Sequence, residues 1–417
     1  MTEQKKPEVL IAGAGPVGMF AALVLARCGV RVRIVDEAPR RGAHSYGLAL
    51  HAQSLALLRE AGLLRAVMRN ALGVGSVAIY DGAERRATLR LDEIRDDFPF
   101  LAVMRQDDFE GLLEHALREA GVEVGWNHYV AEIEQTLEGV TARVDRLEEV
   151  PMAVPVKYLE TVITSSERVE VPFLIGAGGA NSLVRKALDI PMIMAAPPQY
   201  FAVFEFETDM PIQDAVRVVL HNGLTSVLWP LPGGRCRWSF EITPEEAVIG
   251  PREKEHEGVE DGRPDFAVVT EDHLRAFLAE RAPWFDGSIE EIRWRTVVRF
   301  ERRLAERFGE GRVWLAGDAA HMTGPVGVQS MNAGLLEARD LGTVLARILS
   351  GLGTMSQLTE YERRHLARWR MMLGLDGEVS PILSCLPATG PDLLALLERV
   401  DSEELGTENW RSAGAIW

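Results

Sequence analysis

Cysteine is scarce in this 417-residue chain: Cys28, Cys236 and Cys385 lie far apart and form no Cys-x-x-Cys. That excludes a disulfide framework and a thiolate zinc site, and it suits a reducing compartment. Positive charge is also short, with 45 Lys and Arg against 62 Asp and Glu and a formal net charge of −17. Such a surface repels phosphate backbones and anionic bilayers, so neither nucleic acid nor a membrane is an expected partner. The longest apolar stretch, Gly13 to Ala26, is broken by Gly15, Pro16 and Gly18, and Met1-Thr2-Glu3-Gln4-Lys5-Lys6 has no hydrophobic signal core. A cytoplasmic location is the expectation. The nine histidines show no His-x-His or His-x-x-x-His spacing, which argues against a metal site, and no Gly-x-Ser-x-Gly supports a serine hydrolase. Repeats and low-complexity segments are missing too. What is present, 47% hydrophobic and 26% charged residues, is a globular composition. The length allows two or three domains, or one large fold with an insert.

Val9-Leu10-Ile11-Ala12 is a short, wholly apolar run, as expected of a strand buried on both faces. A glycine-rich turn follows, then a predicted helix over 17–27 and a strand over 30–35. Pro172 to Ser182 and Val313 to Asp318 repeat the strand-then-glycine pattern, the latter followed by a predicted helix over 332–349. Tyr200–Glu207, Val216–His221, Ser226–Leu231 and Arg235–Thr243 instead alternate apolar and polar residues, which predicts an antiparallel sheet. Val77–Tyr80 and Thr88–Leu91, around Asp81-Gly82, read as a hairpin that can join it. The polar stretch 251–265 reads as a solvated loop.

Gly13-Ala14-Gly15-Pro16-Val17-Gly18 is a Gly-x-Gly-x-x-Gly between a predicted strand and a predicted helix. Gly13 permits the tight turn, Gly15 lets a pyrophosphate approach the backbone, and Gly18 lets helix pack on strand. Pro16 and Val17 begin the helix whose N-terminal amides would face the phosphates. Asp36, 23 residues after Gly13, stands at a strand end where a carboxylate can bond a ribose hydroxyl. Glu37, one residue later and facing the other way on the strand, is a cofactor-binding candidate expected to matter less. The motif alone does not separate FAD from NAD.

Arg312-Val-Trp-Leu-Ala-Gly317-Asp318-Ala-Ala-His321, then Pro325 and Met331-Asn332-Ala333-Gly334, narrow the choice. With the fingerprint and the central Gly176-Ala-Gly-Gly179-Ala-Asn-Ser182, the chain resembles the class A flavoprotein aromatic hydroxylases, the family of p-hydroxybenzoate hydroxylase, over about residues 8 to 375. The resemblance implies an α/β fold: a discontinuous Rossmann-like FAD-binding domain with an inserted antiparallel β-sheet substrate domain. It implies non-covalent FAD, NADPH or NADH as electron donor, O2, and a small aromatic substrate oxygenated through a flavin C4a-hydroperoxide. By the same resemblance Asp318 would bond the ribityl chain and Pro325 would sit beside the isoalloxazine. The backbone amides of Met331 and Asn332 would face its pyrimidine edge, and Gln106 and Gly178 would lie against the cofactor. The protein need supply no nucleophile, and no catalytic residue is named. His321 reads as structural.

Four positions depart from the family pattern. Gly178 stands where the family has Asp, Asn181 and Ser45 where it has Arg, and Ser330 where it has Gly. These positions serve flavin placement and NAD(P)H use, so reduced flavin delivered by a separate reductase is an alternative electron source. Other users of the fold, a flavin reductase or halogenase, stay open, although no Trp-x-Trp of the halogenases is present. So does a non-catalytic protein that binds FAD and a small molecule. The expected FAD-binding parts are 1–73, 100–190 and 270–390, and the sheet domain 74–99 and 191–269, with 391–417 a C-terminal tail. Cys236, Trp238, Phe240 and Ile242 alternate with polar residues; that aromatic face is either core or a roof over the flavin. In the second case Trp229, Trp238 and Phe240 would touch substrate.

Overall fold

A computed structural model of the protein describes residues 6–42, 49–93, 96–152, 158–248, 268–324 and 329–376. Ser45, Pro325, the polar stretch 251–265 and the tail 391–417 lie outside the described residues. At the centre is a six-stranded sheet in the order Gly309–Glu310, Val313–Leu315, Phe173–Gly176, Val9–Ala12, Val32–Asp36, Val124–Trp126. All neighbours run parallel except the first pair. Val9, Leu10 and Ile11 are fully buried, which is why this strand reads as an unbroken apolar run. From Val9–Ala12 the chain builds outward through Val32–Asp36 to Val124–Trp126. It then returns to the other side of the first strand with Phe173–Gly176 and Val313–Leu315. The order therefore reverses between Val9–Ala12 and Phe173–Gly176. In open α/β sheets a ligand crevice opens there, at the carboxyl ends of the strands.

A second sheet of eight strands has the order His321–Met322, Glu290–Ala305, Met192–Glu207, Arg235–Ile242, Leu224–Leu231, Val216–His221, Ser76–Asp81, Glu84–Arg90. The hairpin around Asp81-Gly82 joins it through a parallel pairing with Val216–His221. The sheet reaches further along the chain than the expected limit of 269. Strand Glu290–Ala305 pairs with Met192–Glu207 along most of its length, and helix Glu271–Arg281 buries Leu274 and Leu278 against the sheet. That strand carries Arg293, Arg295, Arg299, Arg302 and Arg303 and shows no clean apolar alternation, so its pattern did not mark it as sheet. A three-stranded sheet of His128–Gln135, Val140–Met152 and Tyr158–Val171 was likewise not foreseen.

The register decides which face of the eight-stranded sheet meets the nucleotide-type domain. Phe204 pairs with Trp238 and Ala202 with Phe240, and these residues pack against Leu274, Leu278 and Phe285 on the outer side. Trp238 stacks on Phe240 with ring centroids 5.0 Å apart, and Phe240 on Phe277 at 5.1 Å. The roof reading of Trp238 and Phe240 is thereby corrected: both are fully buried core residues beneath a helix. The inner face carries Val203, Glu205, Arg237 and Ser239. It also carries Trp229, which pairs with Arg237 and packs with Val74, Leu101 and Val103. Trp238→Ala should lower stability by about 3–5 kcal/mol through the cavity it leaves, while the purified protein keeps its cofactor spectrum; urea unfolding followed by fluorescence measures the loss. Weakened cofactor or ligand binding at unchanged stability would return Trp238 to the roof.

Candidate functional site

Three distant segments meet at the crevice, and small residues make the meeting possible. Gly13 has φ +114°, and a Cβ there would collide with the Ala177 carbonyl and lie 2.6 Å from the Gly178 nitrogen. Val17, in the first turn of helix Pro16–Arg27, fits between two more glycines. A Cβ on Gly317 would stand 3.1 Å from Val17, and one on Gly334 would stand 2.6 Å from it. The fingerprint, the central glycine segment and the Gly317-Asp318 segment thus close around one point. Gly15 differs from the others, because a Cβ there would have nothing within 4 Å. It also caps the helix with no side-chain bond, and the first turn holds no acidic residue. The start of that helix thus has open space at Gly15 and no acidic residue of its own to offset its partial positive charge.

Asp36 ends its strand beside this turn. Its Oδ2 accepts from the Ala14 amide at 2.6 Å and its Oδ1 from the Ala38 amide at 2.9 Å. Each oxygen keeps acceptor capacity for a ligand hydroxyl. Glu37 is exposed, as expected for its opposite orientation. Gln106 opens helix Gln106–Glu119, and its Nε2 donates to Glu110 Oε1 at 2.8 Å. Glu110 is a functional candidate that pattern reading missed, although the Gln106–Glu110 i,i+4 spacing at a helix start was its signal. Burial pushes its carboxyl up to about 7, with Asp107 and Asp36 adding to the rise against the Gln106 bond.

On the far side of the crevice, Asp318 Oδ1 accepts from Ser330 Oγ at 2.6 Å. Solvent reaches the Asp318 side chain, yet the surrounding protein desolvates it and raises its carboxyl above the usual range, opposed by Ser330 and His321. Ser330, one of the departures from the family pattern, therefore serves as a donor to Asp318. Met331 and Asn332 lie in the first turn of helix Gln329–Leu349, which holds no acidic residue. The Asn332 side chain pins that turn: Oδ1 accepts from the His51 amide and from Ser54 Oγ, and Nδ2 donates to the Ala49 carbonyl. His321 is fully buried, 2.6 Å from Glu337 Oε2, and stacks on Trp369, whose indole donates to Glu337 Oε1. Burial alone would raise Glu337, but the adjacent His321 holds its carboxyl below the usual range. Gly178 has room, since a Cβ would meet only the Ala12 carbonyl at 3.7 Å and Ser182 Cα at 3.8 Å. Asn181 beside it is exposed.

The sheet's inner face is tied to the crevice by charge. Glu205, 1% exposed, accepts from Arg237 and from Arg105 Nη1 at 2.9 Å, and Arg105 also holds Asp107 with two bonds. Arg105 immediately precedes Gln106, so this network fixes the sheet over the start of that helix. Two helix starts with no acidic residue in the first turn, an open space at Gly15 and two flanking carboxylates are the complement of a dinucleotide with a polyhydroxylated linker.

Residues 6–374 match the FAD binding domain family. The chain belongs to that family. It is 26% identical over 396 residues to a 6-methylpretetramide 4-monooxygenase of Streptomyces rimosus, covering 93% of this chain and 64% of the relative. It is 26% identical over 405 residues to a flavin-dependent monooxygenase of Mycobacteroides abscessus, covering 92% of this chain and 76% of the relative. Among solved structures, aklavinone-11 hydroxylase with FAD and aklavinone is similar at TM-score 0.69 and 25% identity, over 90% of this chain and 68% of that one. The fold is shared with p-nitrophenol 4-monooxygenase from Pseudomonas putida at TM-score 0.70 and 21% identity, over 98% of this chain and 92% of that one. This chain spans less than two thirds of the length of the first relative. Membership in the FAD-binding family accounts for the crevice: its residues fit that cofactor. No described helix is long and apolar enough to cross a membrane, and the described residues hold no His, Cys, Asp and Glu cluster fit for a metal.

Glu110 gives the fold a pH dependence with a definite sign. Its folded carboxyl titrates near 7, above the 4.5 of a free one, so stability is full below about pH 4.5 and is lost as pH rises through about 7. Glu110→Gln removes this penalty, and its stability relative to wild type should improve by about 3 kcal/mol between pH 4.5 and 8. Urea unfolding at both pH values reads the difference; parallel behaviour of the two proteins would mean that Glu110 is not desolvated.

Proposed function

We propose that this chain is an FAD-dependent monooxygenase that inserts one oxygen of O2 into an aromatic or polyketide-like small molecule. The observation that carries the reading is the convergence of the fingerprint, the Gly176–Ser182 segment and the Gly317-Asp318 segment on one crevice, closed over by an antiparallel sheet. FAD, when bound, supplies electron storage and oxygen activation. Gly15 and the start of helix Pro16–Arg27 receive the pyrophosphate, Asp36 the adenosine ribose, and Asp318 the ribityl chain. The Met331 and Asn332 amides stabilise negative charge on the pyrimidine edge, and the sheet excludes water from the reacting ring. Two relatives, a 6-methylpretetramide 4-monooxygenase and an anhydrotetracycline monooxygenase, support a tetracycline-type polyketide substrate. The acidic, cysteine-poor composition supports a cytoplasmic site of action.

The electron donor follows from the departures. Gly178 removes the family's carboxylate, and the two nearby cations that could replace lost partners are committed elsewhere. Arg185 is buried and donates to the Ala319 and Ala180 carbonyls, and Arg105 is held by Asp107 and Glu205. We infer that free NADPH or NADH reduces the flavin slowly and that a partner reductase, or bound substrate, speeds the step. A Gly178→Asp side chain has space, and it should accelerate NADPH reduction in anaerobic stopped-flow. Fast wild-type reduction that restoring the Asp leaves unchanged would overturn this inference.

The protein as isolated should be yellow and release FAD on denaturation. Asp318→Ala should weaken FAD binding by about 1.5–3 kcal/mol, the worth of a charge-assisted hydrogen bond. Isotope-labelled O2 with anhydrotetracycline as trial substrate should place one labelled atom in each product molecule. A colourless protein that FAD cannot reconstitute defeats the reading, and reduction of the substrate without label makes the chain a reductase.

A further inference from the structure

The inner face of the sheet carries a carboxylate that no cation among the described residues hydrogen-bonds. Glu241 pairs in register with Phe201, which places it on the same face as Val203 and Glu205. Its Oε1 accepts from Gln199 Nε2 at 2.8 Å and its Oε2 from the Thr225 amide at 2.9 Å. Glu205 on the same face is neutralised by Arg237 and Arg105, whereas the carboxylate of Glu241 has only these two neutral donors among the described residues. Arg281 reaches the same residue from the outer side, but it bonds the Glu241 backbone carbonyl. An ionised carboxylate has about four acceptor positions, so two of those on Glu241 stay available. It is only half-buried, which leaves them accessible.

The position matters as much as the charge. Gln199 reaches the chain that leads into the cofactor segment: a Cβ on Gly324 would lie 3.4 Å from Gln199 Oε1. Gly324 follows His321–Met322, the short strand that edges the same sheet, and precedes helix Gln329–Leu349. Phe201 and Phe300 meet edge to face at 5.6 Å beside this pair. The corner therefore offers the half-buried Phe300 ring, the Gln199 amide oxygen and a carboxylate with no hydrogen-bonded cation, and its acceptors are left for a ligand that donates.

We propose that Glu241 is a specificity-determining residue that accepts a hydrogen bond from a ring hydroxyl of the substrate and rejects anionic substrates. The inference rests on the monooxygenase reading of this site and adds the class of ligand: an uncharged phenol, not an aromatic carboxylate. A hydrogen bond accepted from the hydroxyl also moves electron density into the ring, which favours attack by an electrophilic oxygen donor.

The test uses the FAD-loaded protein and the change in its flavin absorbance on titration with 1-naphthol, 1-methoxynaphthalene and 1-naphthoate. Wild type should bind 1-naphthol at least tenfold more tightly than the ether, and the ether more tightly than the acid. Glu241→Leu should bring naphthol and ether to within about twofold and improve naphthoate relative to both. Glu241→Gln, nearly isosteric and able to accept one weaker bond, should fall between, and it keeps the test decisive if the Leu variant fails to fold. Equal binding of naphthol and ether by wild type, preference for naphthoate, no response to naphthol, or a ranking unchanged in the variants would each overturn the proposal. Failure to bind FAD at all would instead strike the monooxygenase reading, so the two failures are distinguishable.

Discussion

The close approach of Val17 to Gly317 and Gly334, with Gly13 against Ala177, is the contact on which the other features of this protein depend. These residues come from the two ends and the middle of the described chain; a Cβ on Gly13 would strike the Ala177 backbone, and one on Gly317 or Gly334 would press on the Val17 side chain. Interiors are packed to near-crystalline density, so such a site has little room to relax. Because the backbones meet there, the starts of helices Pro16–Arg27 and Gln329–Leu349 belong to one crevice, and Asp36 and Asp318 flank it. Shifting any of the three segments would open the crevice and separate the groups that suit it to a dinucleotide.

Charge fixes what packing cannot reach. The Glu205, Arg237, Arg105 and Asp107 network holds the eight-stranded sheet to the beginning of helix Gln106–Glu119. The His321, Glu337 and Trp369 group holds the Asp318 segment to the long C-terminal helices. Buried charges of this kind are costly to create and more costly to leave half-paired. Their contribution here is positional: Glu205 and Arg237 lie on paired strands, but Arg105 extends that pair to the start of helix Gln106–Glu119, and Glu337 links the His321 strand to Trp369 of another helix.

The glycine fingerprint, the central segment and the Gly317-Asp318 segment were legible because their demands are local. A positive φ at Gly13 or a buried strand at Val9–Ala12 leaves a mark in a few adjacent residues. The strand Val216–His221 was readable for the same reason. Strand Glu290–Ala305 was not, since its arginines, Arg293 paired with Glu207 of the neighbouring strand and Arg299 with Glu301 of its own, hide the alternation that marks a half-exposed strand. Nor could alternation tell which face of Arg235–Ile242 looks toward the crevice. Both faces are covered, one by helix Glu271–Arg281 and the other by the crevice side, and only register with neighbouring strands separates them. Glu110 and Glu241 escaped notice because burial and partners, not residue type, make them unusual.

The order of the central sheet also governs how the chain is made. Val9–Ala12 and the fingerprint leave the ribosome well before their neighbours Phe173–Gly176 and the glycines at 317 and 334. Until Phe173–Gly176 is made this apolar strand has one open edge, and nascent edges of that kind are templates for wrong pairing. Contacts so distant along the chain also slow folding, because long loops must close before any of their contacts form. The glycine fingerprint is in this sense completed only late, and capture of a dinucleotide by the newborn chain must wait for the helix at Gln329–Leu349.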